Sequence, residues 1–309
     1  MSSTILPKPG TAKASRFTDG VRAWVERRPV TAFLGMLFTI AYPVMALPVL
    51  ADHAVIPGGW LPGALGIDAE RLASVLLIFV ALIPTTVFVT WAAEGPASIR
   101  SLFRRMVQWR IGAGWWLVAL LGLPALTISF ALLLGDTLRP VDAASLVVDQ
   151  VTGLLIGFLL VNIWEESGWA GVVQTRLERR HGLVVAAMLT AVPFALIHMP
   201  LHFIGDFSLD SLISALVILL IVCSVIRLLV GCFLRGTQDS ILAVALLHTV
   251  FNKSNNVDGV VAAVVEGNAR GSAALLATIV LTGAVAIAAR RRLSRAHRLQ
   301  AWPTPHTSA

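Results

Sequence analysis

The chain has 309 residues, 57% of them hydrophobic and only 13% charged, with a mean hydropathy of +0.81. Soluble globular domains carry about a quarter charged residues, so the composition excludes that class and implies an all-α, polytopic membrane helical bundle. The formal charge of +7 does not indicate nucleic acid as a partner: the basic residues are dispersed between apolar runs and no nucleic-acid motif accompanies them. They read instead as topology signals.

Residues 1–29, with Lys8, Lys13, Arg16, Arg22, Arg27 and Arg28, form a polar, basic leader expected on the cytoplasmic side. Apolar runs long enough to span a bilayer follow at about 31–51 and 72–93. Then Arg100, Arg104, Arg105 and Arg110 alternate with Leu102, Phe103, Met106, Val107 and Trp109, the pattern of a basic amphipathic stretch on an anionic membrane surface. Further runs occur at about 115–134, 145–174, 183–198 (ended by Pro200), 209–234, 240–252 and 272–289. The stretch TRLERRHG reads as a loop between the fourth and fifth runs, and 257–265 as a short interfacial piece. The resulting organisation is a basic segment 1–29, N-terminal helices and amphipathic loop 30–145, a polar-residue-bearing core 146–289, and a basic cytoplasmic tail 290–309.

Eight spans with both ends inside place twenty of the 24 Lys and Arg on the inner side, leaving Arg71, Arg139, Lys253 and Arg270 outside, as the positive-inside rule requires. Cys223 and Cys232 lie nine residues apart in one run. That is roughly 13 Å along a helix, too far for a disulfide, so both read as packing residues.

The polar residues inside the spans are few. Glu165 and Glu166 occur in NIWEESGWAGVVQTRLERR, from Asn162 to Arg180. An ionisable side chain at that depth costs about 2.5–3.5 kcal/mol and marks a functional site by default. Successive helix residues point about 100° apart, so one carboxylate can face a cavity while the other meets a different partner. Their repulsion in a low-dielectric site requires that one be protonated, or that both be paired with a cation or metal. His198 ends FALIH, and His248 and Asn252 sit one turn apart in LLHTVFN. The helical rise puts Glu165, His198 and His248 roughly 16, 22 and 13 Å from the cytoplasmic side, within one or two turns of a common level. A proton relay or an ion pair with Arg227 is an alternative role for the glutamates, and interhelical hydrogen bonding one for His248 and Asn252; the coincidence of residue type and depth favours a site. His202 has metal-pair spacing from His198, interrupted by Pro200. Asn162, one turn before Glu166, has two open roles: orienting that carboxylate or hydrogen-bonding a neighbouring helix.

EESGWAG at Glu165, FALIHMP around His198 and HTVFN from His248 resemble the three motifs of the CPBP intramembrane endopeptidases, also called the ABI or CAAX-protease family. The pattern is a Glu-Glu pair with Arg four residues after the second Glu, then Phe-x-x-x-His, then His-x-x-x-Asn, and the resemblance covers about residues 146–289. It implies peptide-bond hydrolysis within the membrane. Glu165, assisted by His198, would take a proton from water and later return one to the leaving amine; His248 and Asn252 would donate hydrogen bonds to the oxyanion; Glu166 would orient or balance the first carboxylate. Ala170 stands where the family has Arg, which leaves Arg227, Arg176 or protonation to neutralise Glu166.

The resemblance also implies membrane lipid and a peptide or lipidated protein substrate as partners, with cleavage near the substrate's C-terminus, in a prokaryotic plasma membrane. Glu165, His198 and His248 are a permissible zinc set. No His-Glu-x-x-His is present, however, and the family is also described with a glutamate-activated water, so the expectation is a metal-free site with Zn2+ as the alternative. Two other classes compete. A proton-coupled transporter would use the glutamate pair in two repeated or broken halves, and no repeat is found. A non-catalytic membrane immunity or scaffold protein is favoured if Ala170 marks lost activity.

Overall fold

The computed structural model describes residues 19–300, with side chains through Arg292. Most of the basic leader, 1–18, and the end of the tail, 301–309, lie outside the described residues. After a short helix α1 over 19–27, seven helices are long and apolar enough to cross a membrane. They are α2 (Pro29–Asp52), α3 (Ala69–Glu94), α5 (Ala113–Leu133), α6 (Ala143–His181), α7 (Leu183–Phe203), α8 (Leu209–Gly236) and α10, whose spanning part is Arg270–Arg292. The basic amphipathic stretch is a helix, α4 (Pro96–Met106). The remaining expected span is also helical, α9 (Ile241–Asn255), but has only 15 residues. It is mostly buried and packs against α4, α5, α6, α8 and α10.

Local chemistry explains several departures from straight α-helix. Pro84 and Pro124 lack the N–H that an α-helix needs and crowd the preceding turn, and π-helical turns at Leu77–Leu82 and Val118–Gly122 come just before them. In α6, two more π-helical turns, Gly157–Asn162 and Trp169–Gln174, bracket the glutamates. Such turns often occur at functional positions. The expected loop after α6 is instead helical, over Thr175–His181. Its Arg and Glu residues are good helix formers, Glu178 accepts a hydrogen bond from Arg235 Nε on α8 at 2.5 Å, and the chain turns only at Gly182, with φ of +77°. The regular helix of α7 does end at His198, with Pro200 in the 3-10 turn that follows. Within 257–265, a turn of helix over Val260–Val264 leads into β2 (Val265–Glu266), which pairs antiparallel with β1 (Thr137–Leu138).

Burial along α6 changes abruptly. Val147, Val148, Val151, Leu155 and Leu159 are exposed, an apolar face suited to hydrocarbon. From Asn162 onward the helix enters the bundle, and every residue from Glu165 to Gln174 is buried. The costly polar groups therefore lie in the enclosed half.

The helix ends gather into two faces of opposite charge. At one, Arg176 pairs with Glu94 at 2.6 Å, and Arg105 Nε donates to the Asp239 carbonyl at 3.1 Å. Arg292 donates to the Gly236 carbonyl there as well. At the other, a His53 ring nitrogen meets the Phe203 carbonyl at 2.7 Å, the Gly205 N–H donates to Asp52 at 2.8 Å, and Lys253 pairs with Asp258 at 3.3 Å.

Close approach of α8 to α6 and α7 depends on Gly231. A Cβ there would lie 2.5 Å from Leu183 Cδ1 and 2.6 Å from Gln174 Nε2. Gly231→Ala is expected to cost about 1–3 kcal/mol through overpacking, read as a fall in thermal or denaturant stability of the purified protein. An unchanged unfolding midpoint would contradict this contact.

Candidate active site

Three helices deliver the predicted polar residues to one place. On α6, Glu166 is fully buried and Glu165 is 5% exposed, and the two side chains diverge as the helical rotation requires. Glu165 turns toward a cavity of about 470 Å³ that is also lined by His198 and Phe194 from α7, His248 and Asn252 from α9, and Ile226 from α8. Glu166 turns away from that cavity into the protein.

Glu166 is held by a cation from another helix. Both terminal nitrogens of Arg227 on α8 donate to its carboxylate, one at 3.0 Å and the other closer still. Arg227 is fully buried. Its guanidinium lies over the Phe194 ring, 4.1 Å from the centroid, and its backbone carbonyl accepts from Gln174 Nε2 at 2.7 Å. Planar, two-pronged pairing of this kind suits arginine, and the ring face adds a favourable contact for the charge. Arg227 is thus the counter-charge that Ala170 cannot provide. Arg176, the other sequence candidate, is engaged with Glu94 at the basic face.

Glu166 in turn fixes His248. The His248 Nδ1 lies 2.6 Å from Glu166 Oε1; a carboxylate facing that nitrogen makes it the protonated one in a neutral ring. His198 is fixed in the same way by backbone, because its Nδ1 lies 2.7 Å from the Phe194 carbonyl, which only accepts. In a neutral ring the proton therefore sits on Nδ1, and His198 Nε2 faces Glu165 Oε1 at 3.5 Å as a second acceptor. Two acceptors at that distance need a shared proton or a bridging water. This is the arrangement of a site that handles a proton.

Phe194, the aromatic of the FALIH segment, is the wedge that spaces these groups. Its ring centroid is 4.9 Å from that of His198, 5.9 Å from that of His248 and 5.2 Å from Trp169. It is one residue whose role sequence reasoning did not single out, although its four-residue spacing from His198 puts both on one helix face. Thr249 is another: its hydroxyl donates to Asn162 Oδ1 at 3.1 Å, and Asn162 Nδ2 donates to Glu165 Oε2 at 3.1 Å. Asn162 therefore orients Glu165, three residues on, rather than Glu166. The i,i+3 neighbour shares its helix face, while the position four residues on is directed at Arg227.

Asn252 is half-buried and lines the cavity one turn beyond His248. His202 lines the cavity too, but the turn at Pro200 separates it from the His198–Glu165 contact.

A zinc ion would require three protein donors converging at about 2 Å. Among the described residues no group of three or more His, Cys, Asp or Glu is arranged to hold a metal. The reason is visible at His248: the nitrogen it turns toward Glu165 is Nδ1, at 3.7 Å, and that nitrogen is taken by Glu166 at 2.6 Å, so only His198 Nε2 and Glu165 Oε1 converge. As placed, Glu165, His198 and His248 do not fit a resident zinc.

Comparison with known proteins gives one finding. Residues 147–254 match the family described as type II CAAX prenyl endopeptidase Rce1-like, a stretch that contains all of the residues just described. No curated protein and no solved structure matches the chain.

Proposed function

For an integral membrane protein whose residues 147–254 match the Rce1-like family of type II CAAX prenyl endopeptidases, we propose the following division of labour. Glu165 is the general base that activates water, and His198 relays or shares its proton. The observation that carries this reading is the 3.5 Å separation of Glu165 Oε1 and His198 Nε2 at the edge of a cavity. Water held between them attacks the scissile carbonyl; the proton taken by Glu165 and His198 then goes to the departing amine, so acid and base exchange roles within one turnover.

His248 and Asn252 stabilise the charge that forms on the carbonyl oxygen; for this His248 acts as the imidazolium, its Nδ1–H held by Glu166 and its Nε2–H donated to the oxygen. Glu166 and Arg227 do not meet the substrate in this scheme; Glu166, set in place by Arg227, holds His248 in one orientation and balances its imidazolium charge. Leu219, Val222 and Ile226 line the same cavity and suit an apolar or lipid-bearing segment next to the cleaved bond. Water activation is assigned to Glu165 without a metal, supported by His248 turning toward Glu165 the nitrogen, Nδ1, that Glu166 already holds.

A transporter reading needs water to reach the glutamates from both faces. Beneath Glu166 toward the basic face, Trp169, Val172, Val173 and Gln174 are all buried, which favours a dead-ended cavity over a conduit.

The test is hydrolysis by the purified protein of matched peptides with and without a lipidated cysteine near the C-terminus. Cleavage is expected to persist in the presence of a zinc chelator, and His248→Ala is expected to slow it by about 10²–10³, the scale for losing an oxyanion donor. Activity that disappears with the chelator and returns on adding zinc would overturn the metal-free assignment. Hydrolysis unaffected by His248→Ala would remove that residue from the site.

A further inference from the structure

The cavity has a floor and a mouth, and they point to opposite ends of the bundle. Its outer lining comes from Glu70 and Ser74 at the start of α3, His202 at the end of α7, and Asn255 and Asn256 at the end of α9. These positions all lie at the face held together by His53, Asp52 and Asp258. Toward the opposite face, the buried layer of Trp169, Val173 and Gln174 intervenes, backed by Leu102 of α4 packed near Ile241.

The two faces differ in the sign of their charge. At the mouth end, the segments 52–71, 135–149, 202–210 and 253–270 carry ten carboxylates and four Lys or Arg. At the sealed end, the segments 19–28, 94–112, 175–182, 235–239 and 290–292 carry fourteen Lys or Arg and five carboxylates. Short flanking segments rich in Lys and Arg remain in the cytoplasm. At the rim itself, Glu70 is exposed and makes no ion pair among the described residues.

We propose that the site opens to the extracytoplasmic side and that its substrate is a peptide segment bearing basic residues, presented from that side. This rests on the hydrolytic reading above for the word substrate, while the direction of entry and the charge preference rest on the cavity and the two faces. A recess lined by low-dielectric walls and rimmed by one sign of charge concentrates ligands of the other sign. An anionic or cytoplasmic segment would meet either a repelling rim or a closed floor.

The direction and the charge preference can be tested without any turnover. With Cys223 and Cys232 replaced by alanine, single cysteines are placed at Ser74→Cys and Asn256→Cys near the mouth and at Arg179→Cys on the basic face. Right-side-out spheroplasts are then treated with membrane-impermeant methanethiosulfonates. The two mouth positions are expected to react in intact spheroplasts, and Arg179→Cys only after permeabilisation; the reverse pattern overturns the orientation. Relative to the two reagents' rates with a small free thiol, Ser74→Cys is expected to favour a trimethylammonium reagent over a sulfonate reagent by roughly a further tenfold, within the range for charge-steered encounter, and Glu70→Gln should narrow that ratio. A ratio no greater than that of the free thiol overturns the preference for basic segments. Because nothing in this assay is hydrolysed, either failure is separable from failure of the peptidase reading, which the peptide assay decides.

Discussion

Glu165→Gln is expected to slow peptide cleavage by about 10²–10⁴ while leaving the protein folded. The amide keeps the volume of the carboxylate and retains an oxygen that can accept from Asn162 Nδ2, whose present contact is 3.1 Å. It loses the ability to take a proton from water. Positioned general bases contribute about 10²–10⁴ in rate, and the fall should appear in kcat rather than in KM, since peptide binding in the cavity does not depend on proton transfer. The measurement is a kinetic comparison of wild type and variant at matched thermal stability. A variant that cleaves within a few-fold of wild type would remove Glu165 as the base and leave the cavity without one.

The second large effect concerns stability. Arg227→Met leaves Glu166 with a buried carboxylate and only His248 as partner. Removing one member of a buried ion pair costs about 3–5 kcal/mol because the other is stranded. The double variant Glu166→Met with Arg227→Met removes both charges and should recover most of that loss, since replacing a whole buried pair by apolar side chains is often close to neutral. It should not recover activity, because His248 would lose the acceptor 2.6 Å from its Nδ1. Unfolding of the two variants in detergent, followed by the tryptophan signal, checks the first part and peptide cleavage the second. If Arg227→Met unfolds at the wild-type midpoint, the pair is not what neutralises Glu166.

Much of the bundle was legible from hydropathy, because a segment facing lipid has no other way to satisfy its backbone than to be helical and apolar. The meeting of Glu165, His198 and His248 was also legible, from depth along three spans. Which cation answers Glu166 was only narrowed to Arg227 or Arg176, since both lie near enough along the chain and only packing decides between them. Of the two roles open to Asn162, the bond to a neighbouring helix is found, at Thr249, whereas the carboxylate it orients is Glu165 and not Glu166, because Glu166 is drawn to Arg227. The loop expected after α6 failed for a related reason. A run of Arg and Glu reads as solvent-exposed, yet Glu178 is tied to Arg235 and the helix has no cause to stop before Gly182.

The shortness of α9 has a consequence for biosynthesis. Its 15 residues rise roughly 22 Å, well under the hydrocarbon thickness of about 30 Å. Membrane insertion machinery that recognises segments by length and apolarity has seven clear cases to work with and would gain little by releasing this one into lipid alone. The segment bearing His248 and Asn252 is taken up by helices already in place, and α10, which covers it, emerges from the ribosome afterwards. A nascent chain halted before Ile241 holds the glutamates and Arg227 but lacks His248 and Asn252, so the proposed site is complete only once α9 has docked.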